Sequence, residues 1–193
     1  MASDLMTFRL DGGSTWLNFL ATRGKAFTSH PIERLFDADR LAEWFTAVDL
    51  APTTPPSDAD LESAVALREA LRVLALAVTS DDTPDSAATD ALGPFLTPPP
   101  APALVDGELR MPQPATTTDA LSRVAWEASL HLSGPERRHL HECAADGCRF
   151  VFADPSGRRR YCPSPACATR ERVRAHRARQ KASDPAVEPV EIP

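Results

Sequence analysis

No stretch of the chain approaches the roughly 20 consecutive apolar residues that span a bilayer. The opening MASDLMTFRLDGG has neither the basic nor the hydrophobic region of a secretory signal. Both absences lead to the expectation of a cytoplasmic protein with no membrane partner. HExxH is missing, as are a glycine-rich phosphate loop after a strand and a supported nucleophile and base. Glu127 and His131 share a helix face at i, i+4, as do Asp119 and Arg123, but neither pair has the convergent third group that a catalytic site needs. Both read as surface pairs, and the protein is expected not to be an enzyme. Cysteine is absent from residues 1–142 and from everything after 167. A reducing cytosol disfavours disulfides among the four that remain, so they read as metal ligands or redox groups.

What is present is enough for one moderate core and a small appendage: 193 residues, 42% hydrophobic. LAPTTPPS (50–57), TPPPAPA (97–103) and MPQP (111–114) cannot continue helices, because proline lacks the amide donor and clashes with the preceding turn. Between them the apolar period is helical. Trp16, Leu17, Phe19 and Leu20 form one short cluster, and Leu41, Trp44, Phe45 and Val48 follow i, i+3, i+4, i+7 after a cap at Asp37 or Asp39. Ser57 or Asp58 can cap a longer helix whose stripe is Leu61, Val65, Leu67, Leu71, Leu74 and Val78. A short helix fits DSAATDALGPFL. Residues 103–111 alternate around Asp106-Gly107, which suits a two-residue hairpin turn. A threonine cap then opens a helix with Leu121, Val124, Ala125, Ala128 and Leu132 inward and Gly134 as its stop. PERRHLHE reads as one more helix leading to Cys143.

The expected fold is therefore mainly α: a helical N-terminal domain (1–134) with a small β-hairpin, then a C-terminal treble-clef-like zinc finger (135–181) and a disordered tail (182–193). Cys143, Cys148, Cys162 and Cys167 form two C-x4-C loops thirteen residues apart. Two such loops complete a tetrahedral thiolate shell for one structural Zn2+, with His139 and His141 as minor alternatives for a ligand. The intervening RFVFADPSGRRRYC reads as a hairpin between the two knuckles, turning at Asp154–Gly157 and returning through Tyr161. CATRERVRAHRARQK reads as the following helix.

The finger sequence, with Tyr161-Cys162 and Cys167-Ala168-Thr169-Arg170 in the diagnostic places, resembles the CGNR zinc finger. The upstream segments WLNFLATRG, DADRLAEWF, ALREALR and LSRVAWEAS resemble the ABATE domain that accompanies it. The resemblance covers about residues 10 to 181 and implies a bacterial stress-related transcriptional regulator. Two departures are visible. The family's Leu-Asp-Phe-x-Asn-Thr is here Leu17-Asn18-Phe19-Leu20-Ala21-Thr22, and Gly-Asn of the finger signature is Ala168-Thr169.

Net charge is -6, but residues 137–181 carry twelve Lys/Arg against four acids, a surplus of eight, leaving -14 elsewhere. Arg170, Arg174, Arg177 and Lys181 fall on one helical stripe, Arg158, Arg159 and Arg160 make a second cluster, and Arg172 is a further base-reading candidate. These residues suit DNA. The rival reading is a zinc-stabilised protein-interaction or RNA-binding module without sequence-specific DNA recognition. Trp16, Asn18, Trp44 and Trp126 are candidates for a ligand pocket that would take a small-molecule effector, though tryptophans at helical spacing are more often core. A homodimer is chemically reasonable for a half-site reader, but no heptad or long apolar stripe demands one.

Overall fold

The computed structural model describes residues 5–183, with side chains through residue 180. The tail expected over 182–193 lies outside the described residues from 184 onward, while residues 182 and 183 continue the last helix. The chain is mostly helical: α1 (Thr15–Leu20), α2 (Ala38–Ala47), α3 (Asp58–Thr79), α4 (Ser86–Asp90), α5 (Thr117–Ser133) and α6 (Pro165–Ser183). Three antiparallel strand pairs interrupt it: β1 (Arg23–Gly24) with β2 (Ile32–Glu33), β3 (Ala103–Val105) with β4 (Glu108–Arg110), and β5 (Leu140–Glu142) with β6 (Val151–Ala153).

Helix starts follow the local chemistry. Ser57 with Asp60, and Thr116 with Asp119, form reciprocal capping boxes, and the Asp37 carboxylate accepts from the Arg40 amide. α1 differs. Its Ser14 makes no cap bond, and the carboxylate of Glu127 on α5 instead accepts from the amides of Thr15 (3.2 Å) and Trp16 (2.9 Å). One helix thus caps another, and the negative charge sits at the positive end of the α1 dipole. The Trp16 indole N–H donates to Nδ1 of His131 at 3.1 Å. Glu127 and His131 are therefore not a surface pair, as their spacing implied, but the two contacts that orient α1. Asp119 and Arg123 are not a pair either, since Asp119 serves its capping box and Arg123 donates to the Pro112 carbonyl. Glu127→Ala is expected to strand two helix-end amides and cost about 1–3 kcal/mol in urea unfolding.

The core is built where α1, α3 and α5 meet, from Trp16, Phe19, Leu67, Leu71, Leu121 and Val124, with Trp44 and Phe45 of α2 at its flank. The α3 stripe is only partly the expected one. Leu67, Leu71 and Leu74 are buried, but Leu61, Val65 and Val78 stay at the rim, and Arg68 and Arg72 go inside instead. Arg68 is wholly buried. It donates through Nη1 to Thr22 Oγ1 (3.0 Å) and Glu33 Oε1 (2.7 Å), through Nη2 to Glu33 Oε2 (2.6 Å), and through Nε to Glu69 Oε1 (3.0 Å). Arg72 reaches the Leu20 carbonyl (2.9 Å) and Arg34 the Ala21 carbonyl (3.0 Å). Guanidinium groups thereby satisfy carbonyls that the short α1 leaves without partners at its C-terminal end. Burial alone would raise Glu69, yet Arg72 and Arg68 hold it below the ordinary carboxylate range.

Two sequence expectations near the finger change. PERRHLHE is not an α-helix: Pro135–His139 makes a short 3-10 turn, and Leu140–Glu142 is strand β5, which places Leu140 in the core. The finger hairpin lies elsewhere too. β6 pairs backward with β5, in register Leu140↔Ala153, His141↔Phe152 and Glu142↔Val151, so the first cysteine pair occupies the hairpin tip. The segment from Asp154 to Tyr161 is a loop, not a returning strand. Its shape comes from Asp154, whose carboxylate accepts from the Ser156 hydroxyl (2.7 Å) and the Arg159 amide (2.8 Å). The Ser156 hydroxyl, with the amides of Arg159 and Ser156, holds the Asp154 carboxyl down to about 2.

Candidate metal centre

Each ligand is placed by a different local device. Cys143 follows β5, and Cys148 lies five residues on, after a turn in which Gly147 has φ 69° and just before Arg149 at φ 47°. Cys162 ends the Asp154 loop, and Cys167 lies in the first turn of α6, where the helix dipole favours a thiolate. The four sulfurs lie within 4.8 Å of one another. Cys162 and Cys148 each sit 3.6 Å from Cys167, sulfur to sulfur. Tetrahedral zinc with bonds of about 2.3 Å requires sulfurs about 3.8 Å apart, so the set surrounds a site of the right size for the ion. His139 and His141 are not part of the cluster.

Sulfurs this close do not ionise independently. Hydrogen bonds from Cys143 and Cys148 hold the Cys162 thiol well below its ordinary value, while hydrogen bonding with Cys143 and Cys162 drives Cys148 far up. Burial, then the charge of Cys162, pushes Cys167 up to about 12. A dication removes that conflict by stabilising all four thiolates together. The Cys162 amide already donates to Cys143 Sγ at 3.3 Å.

The finger is seated on the body, not tethered to it. Cys143, Cys162 and Cys167 share a small core with Ala145, Phe150, Phe152 and Ala21, the last contributed by the end of α1. Leu140 and Val151 extend into the main core. Ahead of α1, the Gly12 carbonyl accepts from the Ala153 amide (2.9 Å), and a Cβ on Gly12 would come within 3.1 Å of the Phe150 ring. Arg9 lies over Phe150, 4.4 Å from the ring centroid, and beside Cys162. On the other side of the knuckle Arg149 covers Phe27 at 4.7 Å. The variant motif sits at this junction: Asn18 Oδ1 accepts from the Gly12 amide (2.8 Å), Ala21 packs on the sulfur core, and Thr22 accepts from Arg68.

The cationic candidates separate into two groups. Arg170 approaches Cys167 Sγ (3.9 Å) and the Asp146 carbonyl, and Arg174 pairs with Asp146 (2.8 Å) and Glu171 (3.4 Å), so both tie α6 to the first knuckle. Arg158, Arg159, Arg160, Arg172 and Arg177 are exposed. The side chain of Lys181 lies outside the described residues. The pocket candidates do not converge. Trp16 and Trp44 are fully buried core residues, Asn18 braces Gly12, and the Trp126 indole donates to the Thr97 carbonyl. Sequence reading missed Arg9, Arg34, Arg68 and Arg72; the available hint was Arg68 and Arg72 at i, i+4 beside the buried Leu67 and Leu71.

A four-thiolate site clamping a β-hairpin tip to the start of a helix defines a zinc-finger protein, and these cysteines hold one structural zinc ion. Residues 13–135 match the ABATE family, described as "Putative stress-induced transcription regulator", and residues 139–180 match the CGNR zinc finger. The chain belongs to the ABATE family and carries a CGNR finger. No curated protein matches it. Among the described residues no helix is long and apolar enough to cross a membrane.

Proposed function

We propose that the protein binds DNA through its finger and regulates transcription from the cytoplasm without catalysing a reaction, its helical body serving as sensor or oligomerisation platform. The observation that carries this reading is positive charge left over after every local demand is met. Four thiolates on one zinc leave about -2, and two arginines, Arg9 and Arg170, already stand at Cys162 and Cys167. The four acids of residues 137–181 are also engaged: Glu142 with Arg149, Asp146 and Glu171 with Arg174, and Asp154 with its own loop. Arg158, Arg159, Arg160, Arg172 and Arg177 remain exposed with no carboxylate partner among the described residues. α6 is exposed from residue 172 through 180, a rod held at a fixed distance from the arginine loop by the metal. Such an arrangement fits a phosphate backbone, which rewards spaced cations.

If five phosphates are contacted, the logarithm of the binding constant for a labelled duplex should fall against log salt with a slope of about -4.5. Replacing Arg158, Arg159 and Arg160 together by alanine should flatten that slope by about 3 units. Fluorescence anisotropy on the full chain measures both. Undetectable binding at low salt, or an affinity indifferent to salt, would refute the reading, and stronger binding to RNA of the same length would redirect it.

A further inference from the structure

Residues 97–113 are all exposed, although the hairpin β3–β4 lies in their middle. The arm is fastened only at its base, where Thr97 accepts from Trp126, Pro112 from Arg123, and Gln113 donates to the Ala51 carbonyl. Its turn is well formed, with Asp106 at φ 51° and Gly107 at φ 81°, the left-handed pair of a type I′ turn. Leu104 and Leu109 lie directly opposite each other across the strands, 74% and 72% exposed. A two-stranded ribbon that buries neither face is marginal in water. Both of its edges are open, and no lysine or bulge blunts them.

We infer that this arm joins two copies of the chain, edge to edge along β4, about a two-fold axis through Leu109. With a two-residue turn, Val105 and Glu108 are the hydrogen-bonded pair nearest the loop, which turns the amide and carbonyl of Leu109 outward on the free edge of β4. Antiparallel pairing of Glu108-Leu109-Arg110 with its own copy sets Leu109 against Leu109, Glu108 against Arg110, and Arg110 against Glu108. One face of the four-stranded sheet is then a row of four leucines. On the other face, the Glu108–Arg110 pair within each strand (2.6 Å) is extended across the axis into a ladder of alternating charge. The sequence is self-complementary in this register, as an isologous interface requires. The β3 edge has no such match, because pairing about Leu104 would set Ala103 against Val105, and Pro102 just before it lacks a donor.

The inference is independent of what the finger binds. Its test is sedimentation equilibrium of the full chain at micromolar concentrations, without nucleic acid. The wild type should be dimeric. Glu108→Arg sets like charges opposite each other twice by symmetry and should weaken the dimer about tenfold. Glu108→Arg combined with Arg110→Glu restores alternation and should recover it. Leu109→Asp should give monomer with an unchanged circular-dichroism melt of the helical body, because within its own chain the residue faces only Leu104 on the exposed arm and belongs to neither core cluster. A wild type that stays monomeric, a dimer that all these variants leave intact, or a charge-swapped double variant that fails to recover would each overturn the assignment.

Discussion

Cys162→Ser is expected to abolish zinc retention and to lower the thermal midpoint of the whole chain, not of the finger alone. Structural zinc in small fingers contributes an apparent stability on the order of 10 kcal/mol near neutral pH. Here the exposed Arg174–Asp146 pair and one backbone hydrogen bond from Ala144 to Arg160 are weak substitutes for it in joining the first knuckle to α6 and the Asp154 loop. The effect spreads because the hairpin between body and metal is shared. Leu140 and Val151 belong to the main core while Phe150 and Phe152 belong to the sulfur core, so loosening β5 and β6 exposes apolar surface in both. If about 3 kcal/mol of body stability is lost in this way, the midpoint falls by about 10 °C for a domain of this size. Metal analysis of the purified chain and calorimetry, with chelator added to wild type as a parallel arm, measure the two consequences. A serine variant that keeps one zinc per chain and melts with wild type would show that these sulfurs are not the metal site.

Arg68→Met should cost about 3 kcal/mol in urea unfolding, the low end of the range for breaking a buried pair. The side chain has no exposure, and its loss leaves Thr22, Glu33 and Glu69 without their shared donor. The low end applies because the Glu33 and Glu69 side chains are 36% and 34% exposed and can be hydrated in part. Arg23→Ala is the contrasting variant. Arg23 meets the same Glu69 at 3.4 Å from a side chain 35% exposed, and a surface pair of that kind contributes about 1 kcal/mol or less. Equal losses for the two variants would mean that burial of Arg68 is not what sets its importance.

Much of this molecule was legible in advance, and the residues show why. Asp106-Gly107 fixed a turn because few dipeptides adopt two left-handed conformations in succession. Helix starts were legible at Ser57 or Asp58 and within the threonine run 116–118 because short polar side chains satisfy end amides; the structure selects Ser57 and Thr116, each boxed with a carboxylate three residues on. The metal site was legible for the same kind of reason: four cysteines within 25 residues, in two equal loops, are a local pattern. What failed was non-local. β6 was assigned a partner downstream because the alternation of Phe150, Val151 and Phe152 shows that a strand exists but not where its partner is. Leu140–Glu142 is too short for its period to distinguish strand from helix. Glu127 and His131 were given to each other because spacing along one helix cannot show that a second helix ends against it.

The amino-acid order by itself determined the mainly helical composition, the arm between its proline-rich flanks and the identity of the zinc ligands, because each depends on torsional preference or ligand chemistry over a few residues. Tertiary structure alone decided which arginines are spent and which are free. Arg34, Arg68 and Arg72 went to carbonyls and carboxylates around the end of α1, Arg9 and Arg170 to the sulfurs, and Arg174 to the knuckle, leaving Arg158, Arg159, Arg160, Arg172 and Arg177 facing water. A guanidinium has the same charge wherever it stands in a sequence, and only its distance from an acceptor and from solvent determines what it does.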